Sequence, residues 1–231
     1  GWKPRTLLST WKGKVGVREQ RFRLGYKGRL FDMDQDPGQR VDLSKKFPKV
    51  KERLNKRKDF FQSKVLDKAL EDKRPFVIGH PGVSWTQIPA RDGSVHGEIK
   101  RSNKFPNCSH FLNWKNQEDY IFWDVEVGKS GKYEVELWYT CRKKDLGTVI
   151  ELSLNGKSVA TTITEPNDPP LVGMMEDRSP RNESYYKDFR PMKMGTIELE
   201  KGKGELKLRT LKIPGEQAIE FRLIMLHRKK I

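Results

Sequence analysis

The sequence predicts a mainly β protein in two parts. A small α+β subdomain, a short antiparallel sheet plus one helix, is expected over residues 1–73, and an antiparallel β-sandwich over residues 74–231. Three observations predict this. Strand-period alternation with Gly and Pro turns runs almost unbroken from Phe76 onward. Helical spacing occurs once, after Pro48. The charge balance also changes near Lys73-Arg74-Pro75: residues 1–73 hold 21 Lys or Arg against 10 Asp or Glu, a net +11, and the remaining residues only a net +5.

Composition narrows the function classes. The 231 residues are 35% hydrophobic and 34% charged, and no stretch approaches the roughly 20 apolar residues of a spanning helix. Aromatic residues at 10%, set in alternating patterns, argue against disorder. A net charge of +16 favours polyanionic partners without naming one. Cys108 and Cys141 allow one bridge or two free thiols, and cannot alone make a four-ligand zinc site. Gly1-Trp2-Lys3 carries no signal-peptide pattern, and the lone leading Gly suggests a fragment.

In the first part, Gly13–Arg18 and Arg21–Leu24 are expected strands, and the turn Tyr26-Lys27-Gly28 leads to a third at Arg29–Met33. Asp36-Pro37-Gly38 supplies a turn. Pro48 suits the first position of a helix, where its missing N–H breaks no bond. Val50, Leu54, Phe61, Val65 and Ala69 then mark its apolar face, and Lys51, Lys56, Lys58 and Lys68 a solvated one. So small a core needs something to pack on.

These elements carry a resemblance. Val15-Gly16-Val17-Arg18, Arg21-Phe22-Arg23-Leu24, Leu30-Phe31-Asp32-Met33, Asp36-Pro37-Gly38-Gln39 and Val41-Asp42-Leu43 follow the order seen in the C-terminal subdomain of arylsulfatase-type sulfatases, over about residues 5 to 70. The family carries Asn where Asp42 stands. The resemblance implies a parent sulfatase, a sulfuric ester hydrolase using formylglycine and calcium in an N-terminal catalytic half. The formylglycine motif Cys/Ser-x-Pro/Ala-x-Arg is absent: Cys108-Ser109-His110 and Cys141-Arg142-Lys143 lack its Pro and Arg, and Ser179-Pro180-Arg181 has the wrong spacing. The chain is therefore expected to be non-catalytic.

In the second part, Tyr133, Val135, Leu137 and Tyr139 alternate with Glu134, Glu136, Trp138 and Thr140. Ile150, Leu152 and Leu154 precede an Asn155-Gly156 hairpin turn, with Val159–Ile163 as partner. Further strands are expected at Thr196–Glu200, Glu205–Arg209 and Ile219–Leu226, around the turns Gly202-Lys203-Gly204 and Pro214-Gly215. The run Trp114 to Val125, with Gly131-Lys132-Tyr133-Glu134-Val135, resembles galactose-binding-like jelly-roll sandwiches of the carbohydrate-binding-module type, over about residues 76 to 228. Such modules occur appended to sulfatases, which implies a periplasmic or secreted protein that holds its enzyme on sulfated or acidic polysaccharide.

Sugar binding needs flat apolar surface and convergent polar groups. Trp114, Tyr139, Arg142, Lys143, Tyr185, Tyr186, Asp188 and Arg190 are the candidate contacts, the arginines for an anionic sugar. The bland reading makes Trp114 and Tyr139 core caps and Lys143-Lys144 a solvated turn, and assigns Trp123 and Trp138 to packing. Glu98 is a candidate ligand for the structural calcium such sandwiches often hold, whereas His80, His96, His110 and His227 lack zinc spacing. Asn107-Cys108-Ser109 and Asn182-Glu183-Ser184 fit the glycosylation tripeptide. Expected partners are the protein's own catalytic domain and a sulfated or acidic polysaccharide. Two rivals are a purely structural sandwich and a basic nucleic-acid binder using Lys45-Lys46 and Lys56-Arg57-Lys58.

Overall fold

A computed structural model describes residues 3–104 and 107–229, with only the backbone of Leu70; Gly1 and Trp2, where the leader pattern was sought, lie outside the described residues. The chain divides into two compact units, Gly1–Arg74 and Pro75–Ile231.

In the first unit β1 (Leu7–Trp11), β2 (Lys14–Arg18), β3 (Phe22–Leu24) and β4 (Leu30–Asp32) form an antiparallel sheet in chain order. The sequence reading missed β1, whose five residues are all exposed and offer no buried face to recognise. Leu30 N–H donates to the Asp42 carboxylate and the Ser44 hydroxyl, tying the Val41-Asp42-Leu43 step to β4. Helix α1 (Pro48–Phe61) has Pro at its first turn and continues through a π turn at Gln62–Leu66 into α2 (Asp67–Leu70). Its apolar stripe is shorter than expected. Leu54 is fully buried against Val17, Leu24 and Leu30, with Val50 packed at the edge. Beyond Leu54 the cover thins: Phe61 is half-buried, and Val65 and Ala69 are exposed. Burying a Leu contributes roughly 1.5–3 kcal/mol, so four fully buried side chains make a modest core.

The second unit is an antiparallel sandwich with one core. Its strands are β5 (Phe76–Ile78), β6 (Trp85–Pro89), β7 (Ser94–His96), β8 (Lys100–Arg101), β9 (Phe111–Leu112), β10 (Tyr120–Val127), β11 (Gly131–Thr140), β12 (Val149–Leu154), β13 (Lys157–Thr162), β14 (Arg190–Leu199), β15 (Gly202–Lys212) and β16 (Glu220–Arg228). One sheet runs β13-β12-β15-β10-β5 with β7 also on β10, and the other β14-β11-β16-β9-β8 with β6 also on β16. The pairing of β5 with β10 is parallel, a departure from the antiparallel rule. Ile121, Trp123 and Val125 from one sheet meet Tyr133, Val135 and Leu137 from the other in the shared core. The alternation read at residues 133–139 is the pleat of β11, with odd-numbered side chains inside.

One strand starts earlier than the sequence suggested. Arg190 and Pro191, ahead of the strand expected from Thr196, open β14, which lies at the edge of its sheet. An edge position leaves the missing proline N–H without a lost ladder bond. Register shifts in β14 between the residues opposite Val135 and Glu136: Gly195 faces Val135, Lys193 faces Glu136, and Met194 is the extra residue. Gly195 takes φ +129°, a conformation that favours glycine, and Met194 turns into the core. A bulge of this kind bends the strand and re-aims neighbouring side chains.

Candidate functional site

The bulge lies beside a groove on the outer face of the second unit. The pairing of β6 with β16, β16 with β11 and β11 with β14 sets residues distant in sequence in rows across this face. One row joins Trp85, His227 and Glu134, and the next Gln87, Met225, Glu136 and Lys193. The groove holds about 330 Å3 and is lined by Trp85, Met225, His227, Glu134, Glu136 and Lys193, with backbone of the bulge at Gly195. Trp85 is 50% exposed. One face of its indole stacks on the His227 imidazole at 4.0 Å, with the planes 9° apart.

The polar rim is ordered by neighbours. Lys229 Nζ lies 3.1 Å from Glu134, and His227 Nδ1 lies 3.7 Å from the other carboxylate oxygen. The hydrogen bond from Lys229 holds the Glu134 carboxyl below the usual carboxylate range. Trp138 Nε1 donates to Glu136 at 2.7 Å, fixing that carboxylate and the half-buried indole together. Two carboxylates, a lysine, an imidazole and an apolar indole surface can accept and donate hydrogen bonds around a hydroxylated ring. Positive and negative groups alternate, so the groove suits an uncharged polar ligand better than a polyanion.

The predicted sugar contacts fall elsewhere and do not form one site. Trp114 and Tyr139 are corrected to core residues, each 1% exposed. Trp114 Nε1 donates to the Asp119 carbonyl at 3.1 Å, and the Tyr139 hydroxyl to the Glu165 carbonyl at 2.9 Å. Each aromatic is large enough to fill the sandwich end, and its polar tip finds a backbone partner there. Arg142 Nε lies 2.5 Å from the buried Asp145 carboxylate, which also accepts the Glu216 N–H. Burial pushes the Asp145 pKa up, but these hydrogen bonds outweigh it and hold the group ionised to lower pH. Arg190 is paired with Glu165 at 2.8 Å.

Tyr185 is half-buried under the Arg181 guanidinium, 4.5 Å from the ring centroid. Tyr186, Asp188 and Lys143 are exposed. The cavity at this end is about 160 Å3, and of the predicted set only Arg142 lines it. Ion pairs occupy it, with Lys187 2.8 Å from Glu220.

The other sequence candidates are placed as follows. Glu98 is exposed, and its N–H donates to the Asp119 carboxylate at 3.2 Å. Among the described residues no group of three His, Cys, Asp or Glu side chains is arranged to hold a metal. Cys108 and Cys141 are both free and buried, and burial raises the Cys141 thiol to about 11. Trp123 is core, edge-on to Phe221, as the packing alternative had it. Lys56 is paired with Glu52. No helix among the described residues is long and apolar enough to cross a membrane.

No protein-family model matches the chain, and no curated protein matches it. Several solved structures are similar to part of the chain. The GH26-CBM35 β-(1,4)-mannanase of Podospora anserina is 11% identical, with 64% of this chain and 28% of that chain covered and a TM-score of 0.44. A family 35 carbohydrate-binding module from Clostridium thermocellum is 13% identical over 64% and 100%, with a TM-score of 0.43. The mosquito-larvicidal Cry4Aa toxin of Bacillus thuringiensis is 13% identical over 64% and 24%, with a TM-score of 0.46. This chain thus spans about a quarter of the mannanase and toxin chains. At such scores the likenesses carry no functional argument, and a function has to come from the groove's own chemistry.

Proposed function

We propose that the chain is a non-catalytic, polysaccharide-binding region of a carbohydrate-active protein, with a sugar held in the groove between Trp85 and Lys193. The observation that carries this reading is the half-exposed Trp85, stacked on His227 at the mouth of a groove with convergent polar groups. The indole offers apolar surface to the C–H face of a sugar ring, while Glu134, Glu136 and Lys193 meet its hydroxyls. We read the first unit as the C-terminal subdomain of a sulfatase parent. Its support is the order of sequence elements alone, and a secreted or periplasmic location and a calcium near Glu98 are proposals of the same origin.

A panel of unsulfated polysaccharides tests the groove. Trp85→Ala should weaken the best ligand at least tenfold, about 1.4 kcal/mol, without changing the fold, because the residue is half in solvent. Unchanged affinity, or no ligand in the panel, refutes the reading. A second reading, docking on another protein domain, is favoured by Val172, Met174 and Met175, exposed at 54, 46 and 84% in one loop. Retained sugar binding with the loss of a domain contact on Met175→Ser would show both at work.

A further inference from the structure

The first unit carries a second groove of different chemistry, on the sheet face opposite Leu54. Val17, Leu24 and Leu30 turn toward the helix, so their strand neighbours Gly16, Arg23 and Phe31 turn away from it. Gly16 pairs with Ser9, and Arg23 with Phe31, which brings them into adjoining rows of that face. With no side chain at Gly16 or Gly25, the face is hollowed into a groove of about 470 Å3, rimmed by Trp11, Lys14, Arg23, Tyr26, Lys27 and Arg29. Its lining includes four cations and no carboxylate. Among the described residues no carboxylate lies within 4 Å of these four, although the charge of Asp42 reaches Arg29 from farther off, whereas Arg21 and Arg53 of the same unit are directly engaged by Asp32 and Glu19.

Aromatic rings hold three of these cations in place. Lys14 Nζ sits 4.9 Å and Lys27 Nζ 5.8 Å from the Tyr26 ring centroid, and Arg29 Cζ 5.3 Å from that of Phe31. Cation–π contacts of this kind fix the charge without neutralising it. Unpaired guanidinium and ammonium groups around a concavity complement compact tetrahedral oxyanions, with Arg able to bind two oxygens at once. Trp11, 60% exposed on the rim, offers a stacking face to a sugar ring and to a nucleobase alike, so the oligothymidylate arm of the test separates the two. A hollow also fits a thin chain with projecting anions better than the broad backbone of a duplex.

We propose that this groove, formed by β1 to β4, binds the sulfate esters of a sulfated polysaccharide. It would be a separate site from the neutral-sugar groove of the sandwich. The choice of a glycan rests on the polysaccharide reading above; the site itself does not, because the two grooves share no residue.

The test uses the whole chain with dextran sulfate, dextran and a single-stranded oligothymidylate at physiological salt. The double variant Lys14→Gln with Arg23→Gln should lose at least tenfold in dextran sulfate affinity. The control pair Lys49→Gln with Lys64→Gln removes the same charge from exposed positions outside the groove, and should change it less than twofold. Equal losses in both double variants would reduce the site to net charge and overturn the proposal. So would tighter, groove-dependent binding of the oligothymidylate, which would assign the groove to nucleic acid. Absence of dextran sulfate binding in the unaltered chain overturns it too, whatever the unsulfated panel shows for Trp85→Ala.

Discussion

His110 sits almost wholly buried beside Phe189, its Nδ1 2.9 Å from the Ser109 hydroxyl. Burial, opposed in part by the charge of Glu220 and assisted by Lys187 and Arg222, pushes its pKa from 6.5 down to about 4. The unfolded chain takes up a proton near pH 6.5, while the folded chain resists it down to about pH 4. Between those values the unfolded state binds more protons, so stability is complete above 6.5 and falls as the pH drops toward 4. The slope from this one group reaches about 1.4 kcal/mol per pH unit. Following the imidazole by NMR should give a midpoint well below its ordinary value; titration near 6.5 would show that the ring is hydrated in solution.

The bulge in β14 is the element on which the sandwich groove depends. Met194 is drawn into the core and Gly195 lets the strand resume its register, which leaves the hollow beside Lys193 and Glu136. A Cβ at Gly195 would stand 3.0 Å from Val159 Cγ2 at φ +129°. Gly195→Ala is expected to cost about 1–2 kcal/mol in denaturant unfolding and to weaken sugar binding several-fold. Gly156, in the β12–β13 turn at φ +80°, has nothing within 4 Å of such a Cβ. Gly156→Ala should therefore show the conformational penalty with sugar affinity unchanged. Equal sugar affinity in the two variants would dissociate the bulge from the site.

Over the whole molecule, net charge and specific grooves predict different salt responses. A net charge of +16 attracts any polyanion, and raising ionic strength from about 0.01 M to about 0.15 M shortens the screening length from about 30 Å to about 8 Å. Association with dextran sulfate should slow at least tenfold over that range by stopped-flow or surface binding. Affinity for an unsulfated ligand in the Trp85 groove should change less than twofold, because paired and hydrogen-bonded groups line it. A parallel loss for both ligands would mean that long-range attraction governs both.

Much of the architecture was legible because backbone periodicity is local. The alternation at Tyr133–Tyr139 and the Asn155-Gly156 turn are properties of adjacent residues, and so is Pro48 at a helix start. Where a pattern extends beyond its partner, the sequence overstates it: Val65 and Ala69 keep helical spacing but are exposed. Binding surface is decided differently. Trp114 and Trp85 are the same residue type in similar polar surroundings, yet one is sealed in the core and the other stacks in the open on His227. Gly195 lies just before the strand expected at Thr196–Glu200, so no local pattern marked the bulge, and nothing local joins Trp85, Glu134, Lys193 and His227. By itself the sequence determined the strand and helix periods, the turns and the basic excess, since each arises from neighbouring residues or from composition. Only the tertiary structure decided which aromatics face solvent and which charges meet, because cross-strand register brings residues about 140 positions apart into one row.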